Sequence, residues 1–255
     1  MLLAIDTGNT HTVLGLFDGP RLVADWRIAT RKDETADELG SLFLALFAGG
    51  GIEPSSVDGV IVSSVVPDWN GILAATAQRA FGREALFVAP GIKTGLPILY
   101  ENPHEVGADR IVNAVAAVHG YGAPVIVLDF GTATTFDVVS PRGEYLGGVI
   151  APGLGISAEA LFQRAARLMR VDVKRPTRVI GRTTEESVQS GLFHGYVSLV
   201  EGVVRRLRAE LAVDAPVVAT GGLAPVFQSE LSFLQAVDPH LTLLGLRLVW
   251  EKNRR

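Results

Sequence analysis

The sequence predicts an α/β protein made of two copies of one unit, each a mixed five-stranded sheet with flanking helices. Three observations lead there. First, residues 125–139, VIVLDFGTATTFDVV, run four apolar residues into Asp129 and a Gly/Thr turn before alternation resumes at Phe136, which reads as strand, tight turn, strand. Second, the same arrangement opens the chain: Leu2, Leu3, Ala4 and Ile5 run into Asp6, Thr7, Gly8, Asn9 and Thr10, and alternation returns at Val13, Leu14 and Leu16. Sliding one copy by 123 residues superposes Asp6 on Asp129, Gly8 on Gly131 and Thr12 on Thr135. Self-similarity at a fixed offset is what internal duplication leaves behind, although two unrelated hairpins with glycine turns would share the local pattern. Third, each hairpin is followed by a further strand and then by helical periodicity.

Taken in order, residues 22–28 alternate as a third strand. Leu39, Leu42, Phe43, Leu46 and Phe47 then recur at spacings of three and four, an amphipathic helix over 35–48. Thr35 with Glu38 has the capping-box form, and Gly49, Gly50 and Gly51 end the helix. Residues 57–66 are a β-branched run, 69–81 a second helix and 86–88 a short strand. Three strands, helix, strand, helix, strand is a ribonuclease H-like order. Residues 89–107 carry Pro90, Gly91, Gly95, Pro97, Pro103 and Gly107, a long irregular connection that Leu96, Ile98, Leu99 and Tyr100 should keep ordered. Helical periodicity follows over 108–119, with Gly120 as its stop.

The second copy continues with a strand over 144–150, helices over 157–169 and from Thr183 or Thr184 to about Leu211, a buried strand over 217–219 and a closing helix over 241–250. The long helix is expected to bend near Gly191 and Gly195, and it carries Leu192, Phe193, Val197 and Val200 beyond one narrow stripe, an apolar area that either seeks a second copy of the chain or fills the core of the second domain. Domain limits of 1–120 and 121–255 follow. Thr220, Gly221 and Gly222 either let the backbone approach a flat ligand such as adenine or form a plain turn.

Composition narrows the function. With 255 residues, 48% of them hydrophobic, the chain can bury a substantial core, and a net charge of −4 offers no basic field for nucleic acid. The absence of cysteine removes disulfides and thiolate chemistry. Residues 1–5 do not make a signal sequence and no apolar run is long enough to span a membrane, so a cytoplasmic protein with no membrane partner is expected. No G-x-S-x-G elbow, Walker A loop or G-x-G-x-x-G follows a strand, and the five histidines are too dispersed for a zinc motif. Phosphate handling is left to the hairpins: glycine lets the backbone approach a ligand, and threonine adds hydroxyls beside free amides. Asp129 has no Lys or Arg in the next twelve residues, so it is placed to meet a cation, and metal-bound phosphate suits the turn better than free anion.

Asp109 and Arg110 fall in the first turn of the 108–119 helix. An acid there is either a helix-dipole partner worth under about 1 kcal/mol, with Arg110 a solvated neighbour, or a functional group delivered by the Gly/Pro-rich lead-in.

Five segments together resemble the type III pantothenate kinases, of the superfamily of acetate and sugar kinases, actin and heat-shock chaperones. They are Asp6-Thr7-Gly8-Asn9-Thr10, Ser63-Ser64-Val65-Val66-Pro67, Asn102-Pro103 with Gly107-Ala108-Asp109-Arg110, Asp129-Phe130-Gly131-Thr132-Ala133-Thr134-Thr135, and Gly147-Gly148 leading to Pro152-Gly153. The resemblance implies two ribonuclease H-like domains of the actin-like ATPase fold that together bind ATP. It further implies transfer of the γ-phosphoryl group to pantothenate, the first committed step toward coenzyme A, with Mg2+, a monovalent cation (K+ or NH4+) and a homodimer. By the same resemblance Asp6, Thr7, Gly8, Asn9, Thr10, His11, Thr12 and Val13 form the first phosphate segment, and Thr132 is the other nucleotide contact. Asp129 is the monovalent-cation ligand, Asp109 the general base, and Tyr100, Gly107, Ala108, Asp109, Arg110 and Thr184 contact pantothenate. Arg182 and Thr183 depart from the family's more usual Lys and Asn, and Met169 from its Pro. The rivals are another small-molecule kinase on this scaffold and a non-catalytic ATP-binding regulator; Gly107-Ala108-Asp109-Arg110 argues against the first, and the lack of room for a partner-binding module against the second.

Overall fold

The computed structural model describes residues 1–31, 33–165, 168 and 170–254. It divides the chain into two compact units, Met1–Ala116 with His240–Arg255 and Ala117–Pro239. The boundary therefore falls near the expected 120, but the closing segment belongs to the first unit rather than the second.

The first unit contains β1 (Leu2–Thr7), β2 (His11–Asp18), β3 (Arg21–Ala29), α1 (Ala36–Gly49), β4 (Gly59–Ser64), α2 (Pro67–Phe81), β5 (Ala85–Phe87) and the start of α3 (Ala108–Tyr121). Its sheet runs β3-β2-β1-β4-β5, with β1, β2 and β3 an antiparallel meander and β4 and β5 parallel to β1. Leu3, Ile5, Val60 and Val62, at alternate positions and so on one face, bury with Leu39, Phe43 and Phe47 of α1 and Trp69 and Leu73 of α2. The capping box at α1 is present in full: Glu38 N–H donates to Thr35 Oγ1 at 3.3 Å and Thr35 N–H donates back to Glu38 Oε2 at 2.8 Å. Two orphan donors are satisfied, an arrangement worth about 0.5–2 kcal/mol. α3 runs one residue past its expected stop: Gly122, at φ 79°, is the residue beyond it that takes the left-handed conformation, not Gly120.

The second unit contains β6 (Val125–Phe130), β7 (Ala133–Val139), β8 (Tyr145–Pro152), α4 (Leu154–Arg164), α5 (Thr184–Leu211), β9 (Val217–Thr220), α6 (Ala224–Phe227) and β10 (Leu234–Val237). Its sheet, β8-β7-β6-β9-β10, repeats the first strand for strand, meander and parallel pair alike. The internal duplication is thus real, but the 123-residue offset holds only for the first strand of each hairpin. Asp6 lies opposite Val13 and Thr7 opposite Thr12, whereas Asp129 lies opposite Thr135 and Phe130 opposite Thr134. The first turn has one more residue than the second, so Thr12 corresponds to Thr134 and not to Thr135. Burial agrees, since Thr12 and Thr134 are both buried.

α4 begins three residues before its expected start and ends at Arg164, and Met169 lies outside the described residues. α5 is one continuous helix through Gly191 and Gly195, and its Phe193, Val197 and Val200 enter the core of the second unit with Phe130, Phe136 and Phe227. These α5 side chains are therefore core rather than an outward apolar surface. β10 and α6 escaped the sequence reading; each is four residues long, too short to carry a period.

α7 (Leu241–Asn253) packs on β1, β2 and β4. The fit is close: a Cβ on Gly59 of β4 would lie 2.2 Å from the Trp250 ring, so only glycine admits the indole there. No helix among the described residues is long and apolar enough to cross a membrane.

Candidate active site

Asp6 ends β1, half-buried, and the turn after it is closed by Gly8 N–H donating to His11 O at 3.0 Å. Thr30, just beyond β3, holds this turn from the side. Its Oγ1 donates to Gly8 O at 2.8 Å, lies 3.0 Å from Thr12 Oγ1, and its N–H donates to Thr10 O at 3.0 Å. Nothing in the sequence singled out Thr30, because register and not motif brings it to the turn. Asn9, Thr10 and His11 are exposed and Val13 is half-buried. Beside Asp6, the buried hydroxyls of Thr7 in β1 and Ser63 in β4 have no hydrogen-bond partner among the described residues. Leaving such groups unpaired costs roughly 1–3 kcal/mol each, an expense that is understandable where a polar ligand completes them.

In the second unit the turn of Gly131 and Thr132 is exposed and shorter, closed by Gly131 N–H donating to Ala133 O at 3.0 Å. Gly153 N–H donates to Thr132 O at 3.0 Å, and a Cβ on Gly153 would stand 2.2 Å from that oxygen, so glycine is required for the approach. Half-buried Asp129, at the end of β6, faces Gly221 after β9. Gly221 has φ 91°, and a Cβ there would lie 2.6 Å from Asp129 Oδ1 and from Phe130 N and O. Of the two readings of the 220–222 stretch, the geometry gives Gly221 a specific reason: it makes room for the Asp129 carboxylate. Among the described residues no three His, Asp or Glu side chains gather in a metal cluster. A cation at Asp129 would therefore not sit in a cluster of three or more such side chains.

The irregular segment before α3 packs around a cavity of about 200 Å3, lined by Val88, Ile92, Ile98, Val106, Ala108 and Ile111 among others. Leu96 is buried, as expected, while Leu99 is exposed and Tyr100 half-buried. Asp109 then enters the first turn of α3. Its Oδ1 accepts the Arg110 N–H at 2.8 Å, and a Cβ on Gly107 would fall 2.5 Å from the same oxygen. Burial pushes the Asp109 carboxyl above the usual aspartate range, overcoming the Arg110 N–H and guanidinium, which pull it down. Arg110 is itself 7% exposed, so it is not a solvated neighbour. Glu105, the nearest competing acid, is exposed and accepts from Asn102 Nδ2 at 2.7 Å. Thr184 is exposed at the first residue of α5, after the Thr183 cap, and belongs to neither turn's cluster.

An aspartate near a strand end beside a hydroxyl-bearing turn, twice over, and a half-buried, desolvated carboxylate at a helix start could position phosphate and accept a proton. Comparison with known proteins gives the chemistry a family. The family model described as Type III pantothenate kinase matches residues 2–206. A relative of that name from Koribacter versatilis is 54% identical, covering 100% of this chain and 96% of its own length. Another from Myxococcus xanthus is 55% identical over 99% of both chains. Among solved structures, the ethanolamine utilization protein of Carboxydothermus hydrogenoformans shares the fold at a TM-score of 0.57 and 15% identity, covering 97% of this chain and 89% of that one. The duplicated ribonuclease H-like sheets are those of the actin-like ATPase fold, and with sequence identity above one half along its whole length the chain belongs to the type III pantothenate kinase family.

Proposed function

We propose that this protein transfers the γ-phosphoryl group of ATP to the primary alcohol of pantothenate, giving 4'-phosphopantothenate and ADP in the first committed step toward coenzyme A. The observation that carries the mechanism is Asp109, a half-buried carboxylate at the start of α3 whose proton affinity is raised by desolvation. Arg110 N–H occupies Oδ1, which leaves Oδ2 to take the hydroxyl proton as the alcohol oxygen bonds to the γ-phosphorus and the bond to the β-phosphate oxygen breaks. Gly107 keeps the carboxylate where it is, and Tyr100, Ala108, Arg110 and Thr184 complete the pantothenate contacts. Residues Asp6, Thr7, Gly8, Asn9, Thr10, His11, Thr12 and Val13 line the phosphates, with Thr132 as the second nucleotide contact. Mg2+ fits the hard oxygens of Asp6 and of the unpartnered Thr7 and Ser63 hydroxyls, and when bound it neutralises phosphate charge. Purified protein with ATP, Mg2+ and K+ should phosphorylate pantothenate; turnover of a sugar or another acid in its place, or of no acceptor at all, would overturn the assignment in favour of the rival kinase or regulator.

Asp129 is proposed to hold a monovalent cation, because no Lys or Arg follows it within twelve residues and a carboxylate beside an oxygen-rich turn suits a hard cation. Turnover should require K+ or NH4+ in addition to Mg2+, and Asp129→Ala should lose activity and that dependence together. Full turnover of the parent in sodium or Tris salts freed of K+ and NH4+ would rule this out.

A homodimer is also proposed, through a surface other than α5. Among the described residues, the exposed large apolar ones of the second unit are Leu146 and Ile150 on β8, Ile156 and Leu161 on α4, and Val179 and Ile180 before α5. Ile150 and Ile180, 62% and 82% exposed, are the costliest to leave in water. Light scattering at micromolar concentration should give twice the 27.1 kDa chain mass, reduced by Ile150→Glu, whereas monomer alone in the parent would refute the dimer.

A further inference from the structure

Tyr196 lies in the middle of α5, far along the chain from any motif, yet its hydroxyl reaches the base of the second turn. It is hydrogen-bonded to Thr134 Oγ1, two residues after Thr132, and it lies 3.4 Å from Pro152 O at the end of β8. α4 has Gly153 at its N-cap and therefore no capping side chain, so the entry to the helix is held from the Pro152 side. Tyr196 and Thr134 are 6% and 1% exposed, and the ring is fixed by Phe130 and Phe227, with centroids 6.4 Å and 5.6 Å away.

These bonds close a loop of connections around the turn. Thr132 O is held by Gly153 N–H; Gly153 follows Pro152, whose carbonyl meets the Tyr196 oxygen; and Thr134, bonded to the same oxygen, returns the chain to Thr132. The turn is itself exposed and has one internal backbone hydrogen bond, Gly131 N–H to Ala133 O, so its shape depends on what braces it from below. The first turn is braced differently, by Thr30 from the neighbouring strand. Burial raises the pKa of the phenol, so it remains a neutral group able to donate and accept at once.

We infer that Tyr196 is a positioning residue for nucleotide binding, setting the Gly131–Thr132 turn through Thr134 and the start of α4 without touching the ligand. This rests on the proposed role of Thr132 as a nucleotide contact. Tyr196→Phe keeps the ring in its aromatic cluster and removes only the oxygen that joins Thr134 and Pro152. The Michaelis constant for ATP should rise about tenfold, as expected when buried partners of one hydroxyl are left unpaired, with turnover at saturating ATP and the Michaelis constant for pantothenate within about twofold of the parent. Thr134→Val should produce the same split, Thr134→Ser should restore the parent value, and the double variant Tyr196→Phe/Thr134→Val should be no worse than either single change.

The experiment is titration of a non-hydrolysable ATP analogue into the full-length parent and these four variants, with thermal melts and steady-state rates alongside. Weakened analogue binding in Tyr196→Phe and Thr134→Val, with affinity retained in Thr134→Ser, supports the inference. A lower melting temperature with unchanged analogue affinity shows a purely structural hydroxyl and overturns it. If Tyr196→Phe fails to fold, Thr134→Val against Thr134→Ser decides in the same way. Failure of the function proposed above reads differently: the parent itself would then bind no ATP analogue or phosphorylate no pantothenate.

Discussion

Asp109→Asn is expected to lower turnover by roughly 10²–10⁴-fold while pantothenate still binds, because the amide keeps the shape of the carboxylate and its acceptor for Arg110 N–H but cannot take a proton. The same change should not destabilise the fold at neutral pH. Asp109 has its pKa raised by burial above the ordinary value of about 3.9, so the stability it contributes is complete below that ordinary value and is lost as pH rises through the raised one. Above that window the folded protein carries the cost of a buried charge, and the asparagine removes it. The variant should therefore gain on the parent in melting temperature as pH rises from the acid side, then hold its advantage. Activity has the opposite sign: the base must be deprotonated, so the parent's kcat/KM should fall on the acid side at a pH above that of an ordinary aspartate, and this limb should vanish in the variant. Glu105→Gln, on an exposed side chain tied to Asn102, should change little. A helix-dipole partner would give the reverse pattern, with a few tenths of a kcal/mol lost in the melt and near-parental turnover; that result would sink the general-base assignment.

Gly221→Ala should be strongly destabilising. The residue sits at φ 91°, where an L side chain costs about 1–3 kcal/mol. The added methyl also meets Phe130 N and O, backbone atoms of a central strand that cannot step aside as a side chain can, so β6 and β9 must spread. Together these are worth about 3 kcal/mol or more, or roughly 6–12 °C in the unfolding transition for a chain of this size. The third atom it meets is Asp129 Oδ1, so the surviving folded protein should need at least about tenfold more K+ for half-maximal turnover. A melting temperature within about 2 °C of the parent would show that the glycine is incidental, and an unchanged K+ requirement would separate its structural role from the proposed cation site.

Strand, turn and cap chemistry were legible in the sequence because each is set by a few adjacent residues. Asp6 and Asp129 announced paired hairpins, and Thr35 with Glu38 announced a helix start; register could not be read this way. A linear slide paired Thr12 with Thr135, because one extra residue in the first turn changes the offset partway through the hairpin. Thr30 and Tyr196 were silent for the same reason, since each reaches its turn from a separate element. The apolar residues of α5 were legible as apolar but not as inward, because a helix against a sheet and a helix against a partner show the same stripe. For Asp109, position at a helix start could be read, but its burial depends on how residues 88–106 fold over α3.

The return of the chain to its first unit at His240 sets a timetable for synthesis. The second unit is contiguous and can collapse once Pro239 has emerged, but the first waits for α7, whose Trp250 covers Gly59. At about 5–20 residues per second, making the intervening 120 or so residues leaves the β1 and β4 face bare for roughly 6–25 s. A ribosome that stalls within the second unit thus presents half a protein whose finished strands still lack their covering helix, a substrate for chaperones or proteases before any kinase exists.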